Sequence, residues 1–158
     1  MDCEFGSRTQ AYKNNIKFII DIEDYDKFVK GYSFSLHPKG YVQYSSRKDG
    51  LCLKRLHRMI MGEPDGMDVD HKNLNTLDNR RENLRIATNQ QNMFNKNKQS
   101  NNTSGFKGVS FKKKAQKFVA QINIDGKRKY LGYFATAVGA HEAYKRAATQ
   151  HYGEFARF

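Results

Sequence analysis

Apolar residues fall in short runs along this chain, and the spacing within each run suggests the element it forms. IKFIIDIEDYDKF, from Ile16, reads as a short apolar strand followed by an acidic turn or short helix. GYVQY and LCLKRLH flank Arg47-Lys48-Asp49-Gly50, and two short runs around an Asp-Gly pair predict a β-hairpin. MDVDH is a partly apolar run that can be a strand ending on Asp70-His71. A turn-rich loop follows, and NLRIAT is the next strand-like run. Thr88, with Gln91 three residues later, forms a capping box that predicts a helix start. The order is therefore strand, loop, strand, helix, with polar residues at each junction facing one corner.

From Asn95 to Gly105 the run NKNKQSNNTSG has no hydrophobic period, and residues 95–104 read as an interdomain linker. Beyond it lie three strand-like runs, FKGVSF, KFVAQINI and KRKYLGYF, the last two joined by Asp125-Gly126. Alternation puts Phe118, Ala120, Ile122 and Ile124 on one face, with Val119, Gln121 and Asn123 on the other. After Thr136 an alanine-rich helix is expected to about Tyr152, its small face formed by Ala140, Ala143 and Ala147. The opening MDCEFGSRTQAYKNN has no amphipathic period and is assigned no role in the fold. The expected class is α+β, with residues 1–94 as one domain and 105–158 as another.

Composition changes this picture in one respect, the partner. The 158 residues carry a net charge of +12, and 13% are aromatic, too many for wholesale disorder. The charge is uneven: residues 1–92 hold 15 Lys and Arg against 13 Asp and Glu, whereas residues 93–158 hold 13 against 3. So basic a second half points to a polyanion. No apolar run approaches the ~20 residues of a membrane span, and no signal-peptide pattern opens the chain. Cys3 and Cys52 form neither a CxxC pair nor a disulfide framework, so a structural zinc is not expected and a cytoplasmic setting is.

The candidate chemistry lies in VDHKNLNTLDNRRENLRIATNQQN, Val69–Asn92. Asparagine is a poor strand former and a mediocre helix former, so its density here needs a reason. With LHR upstream, the DH pair, NRRENLR and the closing QN, the segment resembles the HNH endonucleases of the ββα-metal type, in the asparagine-bearing subgroup of phage and intron-encoded nucleases. That resemblance implies Asp70 and Asn92 as metal ligands, His71 as general base and Asn83 as the residue that orients it. It also implies one divalent cation per site, Mg²⁺ or Mn²⁺ for oxygen ligands. Asn73, Asn75 and Asn79 are explained by Asx-turns without chemistry. Arg80, Arg81 and Arg85 read either as phosphate contacts or as solvated charges. His57 reads as structural or as a phosphate contact, and His37, His141 and His151 carry no signal.

The second half is similar, over about residues 104–157, to the plant APETALA2-type DNA-binding domain. The likeness rests on Gly108-Val109, the Ala-Gln-Ile of the second strand, YLGYF of the third and AHEAYKRAA of the helix. It implies that a sheet face enters the DNA major groove, with Lys107, Ser110, Lys112, Gln121, Asn123, Arg128 and Tyr130 as contacts. Phe118 and Tyr130 stand where that family typically has tryptophan, and Ser110 replaces a common arginine, so the DNA sequence read should differ. Together the resemblances imply a phage or homing-type endonuclease of double-stranded DNA, nicking one strand, with no small-molecule cofactor and no membrane. The alternatives are a DNA-binding regulator with a silent nuclease fold, or an RNA-binding protein.

Overall fold

The computed structural model describes residues 8–13, 15–45 and 53–158, and the chain divides into two compact units, residues 1–89 and 90–158. Both mix strands and helices, as the α+β expectation has it.

The first unit opens with a hairpin of β1 (Arg8–Lys13) and β2 (Ile16–Asp21), paired antiparallel with Arg8 opposite Asp21. Strand β1 falls within the opening stretch that the sequence reading left without a role. A strand completed by backbone pairing to an apolar neighbour need not carry an apolar period itself. Asn15 closes the hairpin at φ 63, a left-handed conformation that asparagine tolerates. Helix α1 (Ile22–Phe28) follows, then a meander of β3 (Ser33–Leu36), β4 (Val42–Ser45) and β5 (Leu53–Arg55) in the order β3-β4-β5. The expected hairpin is thus β4 with β5; its turn, together with both cysteines, lies outside the described residues. LCLKRLH does not continue as strand, because Leu56–Ile60 turns into the short helix α2.

Phe18, Ile20, Val29, Phe34, Val42, Tyr44, Leu56 and Ile60 form the core of this unit with Val69 and Leu84. The last two belong to β6 (Asp68–His71) and β7 (Leu84–Ala87), an antiparallel pair that sets Asp70 opposite Arg85 and His71 opposite Leu84. The β6–β7 loop is fastened to β2 by backbone bonds: the Ile19 N–H donates to Leu77, and the Asn79 N–H donates to Ile19, each at 2.8 Å. A polar loop is thereby anchored to an apolar hairpin, which holds the ends of β6 and β7 in place.

The second unit begins within α3 (Asn89–Phe94), a helix starting directly after Thr88 as the capping box predicts. Residues 95–104, read as a linker, are irregular but bonded inside this unit: the Lys98 ammonium donates to the Gly105 carbonyl, and the Asn102 amide to Phe106. Strands β8 (Val109–Lys112), β9 (Lys117–Ile124) and β10 (Lys127–Phe134) form an antiparallel sheet in the order β10-β9-β8. Asp125 and Gly126 join β9 to β10 with φ of 49 and 74, the two positive values a type I′ turn requires. Helix α4 (Ala137–Tyr152) packs on this sheet, its N-terminus capped by the Thr136 hydroxyl, which accepts from the Gly139 N–H at 3.1 Å.

The buried seam of α4 runs Ala140, Tyr144, Ala148 and Tyr152, one residue every fourth position. That differs from the expected Ala140-Ala143-Ala147 face. Tyr144 packs against the Gly108 backbone beside β8, and the Tyr152 hydroxyl donates to the Asn123 carbonyl of β9, which rotates the seam. Tyr144 needs room for this, and Gly108 supplies it: a Cβ there would stand 2.1 Å from the Tyr144 ring.

Candidate functional site

Asp70 and His71 end strand β6 and are almost fully buried, each 4% exposed. Burial holds the His71 imidazole below the ordinary histidine pKa. The Asn79 hydrogen bond and the charges of Asp70 and Asp78 oppose that shift without reversing it. His71 is therefore neutral at pH 7, the state a proton acceptor requires.

The residue beside His71 is Asn79, with its amide oxygen 3.4 Å from His71 Nε2. Asn83, expected in that place, has both side-chain atoms in use within the loop. Its oxygen accepts from the Asn73 N–H at 3.0 Å, and its nitrogen donates to the Asp78 carbonyl at 2.7 Å. Asn73 and Asn75 behave as the turn chemistry predicts, each accepting from the backbone N–H two residues on, at 2.8 and 3.1 Å. Asn79 departs from them, being wholly buried. No spacing rule marks it out, because the loop path alone carries it to the imidazole.

A second ring backs His71. His57, 2% exposed in α2, lies edge-on to His71 with centroids 4.9 Å apart, and Tyr41 lies 5.0 Å from His57 and 6.0 Å from His71. Burial above all, then the neighbouring His71, Arg55 and Arg58, pushes the His57 pKa down to about 3. Around this cluster two buried nitrogens, His57 Nδ1 and Asn79 Nδ2, have no hydrogen-bond partner among the described residues. Buried polar groups are normally satisfied, so such atoms beside one imidazole suit a site that receives water or a phosphate oxygen.

The three arginines of the loop are turned to carboxylates. Arg85 donates to Asp70 Oδ2 through Nε at 2.9 Å and through Nη2 at 2.8 Å. Arg80 embraces Asp78 with two bonds of 2.7 Å, which holds that carboxyl below its usual range, and also contacts Glu82. Arg81 binds Asp24 in the same bidentate way, at 2.8 and 2.7 Å, with half its side chain exposed. These guanidinium groups organise the loop, and the Arg80 and Arg85 side chains are only 15% and 9% exposed.

The donor set bears on a cation. Asp70 offers hard carboxylate oxygen, and among the described residues no three His, Cys, Asp or Glu gather around a common point. A carboxylate oxygen suits a hard divalent ion, which takes the rest of its shell from water and phosphate. Asn92, the other expected ligand, lies in α3 of the second unit.

In the second unit the register assembles most of the expected contacts. Ser110 pairs with Val119, which pairs with Tyr133; Gln121 pairs with Tyr130, Asn123 with Arg128, and Lys112 with Lys117. Directly opposed residues share a face, so all of these lie on one side of the sheet. Tyr133 joins the group because a bulge between Tyr130 and Gly132 shifts the register; it is 60% exposed and Tyr130 62%. The bulge is invisible to a strict alternation count. A cleft of about 560 Å³ is lined by Ser110, Gln121, Asn123 and Arg128 among others. Lys107 also lines it but turns inward, its ammonium donating to the Phe94 carbonyl at 2.6 Å, and burial lowers its pKa to about 8.

Comparison with known proteins matches residues 55–94 to the family model described as HNH endonuclease. An uncharacterized HNH endonuclease of Acanthamoeba polyphaga mimivirus is 35% identical over 135 residues, 81% of this chain and 67% of that protein. Protein 3.8 of Escherichia phage T7 is 34% identical over 65 residues, 41% of this chain and 54% of that one. The chain thus spans 67% of the length of the first relative and 54% of the second. No solved structure matches it.

Proposed function

Because the chain belongs to the HNH endonuclease family, we propose that it hydrolyses phosphodiester bonds of double-stranded DNA with the help of one divalent cation, Mg²⁺ or Mn²⁺. The observation that carries this reading is the buried Asp70-His71 pair, its imidazole neutral and its Nε2 beside the Asn79 amide oxygen.

In this reading Nε2–H of His71 donates to Asn79, which leaves Nδ1 with the lone pair. Nδ1 takes a proton from the attacking water as its oxygen bonds to phosphorus and the bond to the 3′ oxygen breaks. Asp70 would hold the cation, with Asn92 as second oxygen ligand on the strength of its place in the motif. When bound, the cation stabilises charge on the phosphate and the leaving oxygen. One such site per chain suits a nick in one strand.

The sheet face of Ser110, Lys112, Gln121, Asn123, Arg128, Tyr130 and Tyr133 is the proposed DNA anchor, in the manner of the APETALA2-type domain. Lysine and arginine meet phosphates there, and the two amides read base edges. The excess of 13 basic over 3 acidic residues in 93–158 supports that role. Viral relatives agree with a phage or homing-type setting.

The test is a supercoiled-plasmid assay with Mg²⁺, with EDTA and with His71→Ala. Nicked circles with Mg²⁺ alone are expected, with little product from the variant. Tight binding without any cutting, in Mg²⁺ and in Mn²⁺, would assign the chain instead to a DNA-binding regulator.

A further inference from the structure

The register that sets Asp70 opposite Arg85 brings the candidate ligand and a guanidinium into contact. Two bonds from Arg85 end on one atom of Asp70, Oδ2, and both side chains are buried, at 9% and 4% exposed. The other carboxylate acting on His71, Asp78, is matched by Arg80 with one bond to each of its oxygens. Among the described residues, the two carboxylates acting on His71 thus each carry an arginine. A divalent ion approaching Asp70 meets a carboxylate whose charge is already compensated, and a fixed positive charge beside it. Ligand charge count sets much of the affinity of oxygen sites for hard cations, and Mg²⁺ commonly binds through one or two carboxylates plus substrate phosphate.

We infer that Arg85 makes cation loading depend on DNA: the free protein binds the divalent ion weakly, and the scissile phosphate restores the negative charge that Arg85 cancels. This rests on the nuclease reading above and deepens it. Linkage then requires the cation to tighten DNA binding by the same factor that DNA tightens the cation, and coupled sites commonly show roughly 5- to 150-fold. Arg85 here is a positioning residue, acting through Asp70.

The experiment measures Mn²⁺ affinity by electron paramagnetic resonance of the full chain, with and without a 30-base-pair duplex, in a His71→Ala background that prevents cutting. DNA is expected to tighten Mn²⁺ by roughly 5- to 150-fold. Arg85→Met, which keeps length and removes charge, should tighten Mn²⁺ without DNA and shrink the gain from DNA; Arg85→Lys should preserve the gain. Circular dichroism checks that each variant folds. If Arg85→Met does not fold, the parent protein still decides: Mn²⁺ affinity indifferent to DNA overturns the inference. It is also overturned if Arg85→Met folds and binds Mn²⁺ no better alone. Cation-dependent cutting by the His71 protein with no coupling rejects the role of Arg85 only. No Mn²⁺ binding in any state, with plasmid left uncut, rejects the nuclease reading itself.

Discussion

The amide oxygen of Asn79 stands 3.4 Å from Nε2 of His71, across a loop whose own bonds occupy Asn83. This separates two asparagines that look equivalent in sequence. Removing a general base costs roughly 10²- to 10⁴-fold, and removing the residue that orients it should cost less. Asn79→Ala is expected to slow single-turnover DNA cleavage about tenfold, within the range of a lost positioning contact, at unchanged DNA affinity. Asn83→Ala should instead lower the thermal midpoint, by freeing the Asn73 N–H and the Asp78 carbonyl. A large rate loss with Asn83→Ala at unchanged midpoint, and none with Asn79→Ala, would return the orienting role to Asn83.

His57 predicts an acid limit to stability. Its folded pKa is about 3 against 6.5 when unfolded, so the unfolded chain binds the extra proton. The stabilisation from keeping this ring neutral is complete above pH 6.5 and is lost as pH falls toward 3. The slope is about 1.4 kcal/mol per pH unit for one proton. Urea unfolding from pH 7 to pH 4 should show this slope, and His57→Leu should flatten it. An equal slope in the variant would place the acid sensitivity elsewhere.

Gly108 is the point where the sheet edge and α4 meet. Its φ is +73, and a Cβ would come within 2.1 Å of the Tyr144 ring. Gly108→Ala should destabilise the second unit by about 1–3 kcal/mol, from backbone strain and displacement of the ring. Calorimetry of the full chain should show the transition of that unit moved to lower temperature. A midpoint within a degree of the parent would mean that Tyr144 yields at no cost.

The sheet face makes a prediction that separates affinity from reading. Lys112→Ala should weaken binding evenly across DNA sequences and lower the slope of affinity against salt by about one. Gln121→Ala or Asn123→Ala should relax sequence preference, with about 1–3 kcal/mol lost at the base read. Selection from a random duplex library, repeated at two salt concentrations, distinguishes these effects. Sequence preferences unchanged by both amide variants would remove base reading from this face.

The elements governed by local rules were legible in the chain. The Asp125-Gly126 turn, the helix after Thr136, the strand ending on His71 and a strand within NLRIAT all form where their residues predict. What local rules do not reveal involves partners distant in sequence. Strand β1 is completed by pairing with β2, and the α4 seam follows Tyr144 and Tyr152 against the sheet. Arg81 and Arg85 likewise reach Asp24 and Asp70, 57 and 15 residues away, which no local pattern announces.

By itself, the sequence determined which residue types were available for chemistry, the order of strand, loop, strand and helix, and the basic excess of the second half. Periodicity, caps and turn residues act over a few positions, so they can be read directly. Tertiary structure alone decided which asparagine meets His71, which arginine neutralises Asp70 and where the bulge turns Tyr133. Those outcomes depend on where a loop anchored to Ile19 and a strand register carry each side chain. No local propensity encodes that path.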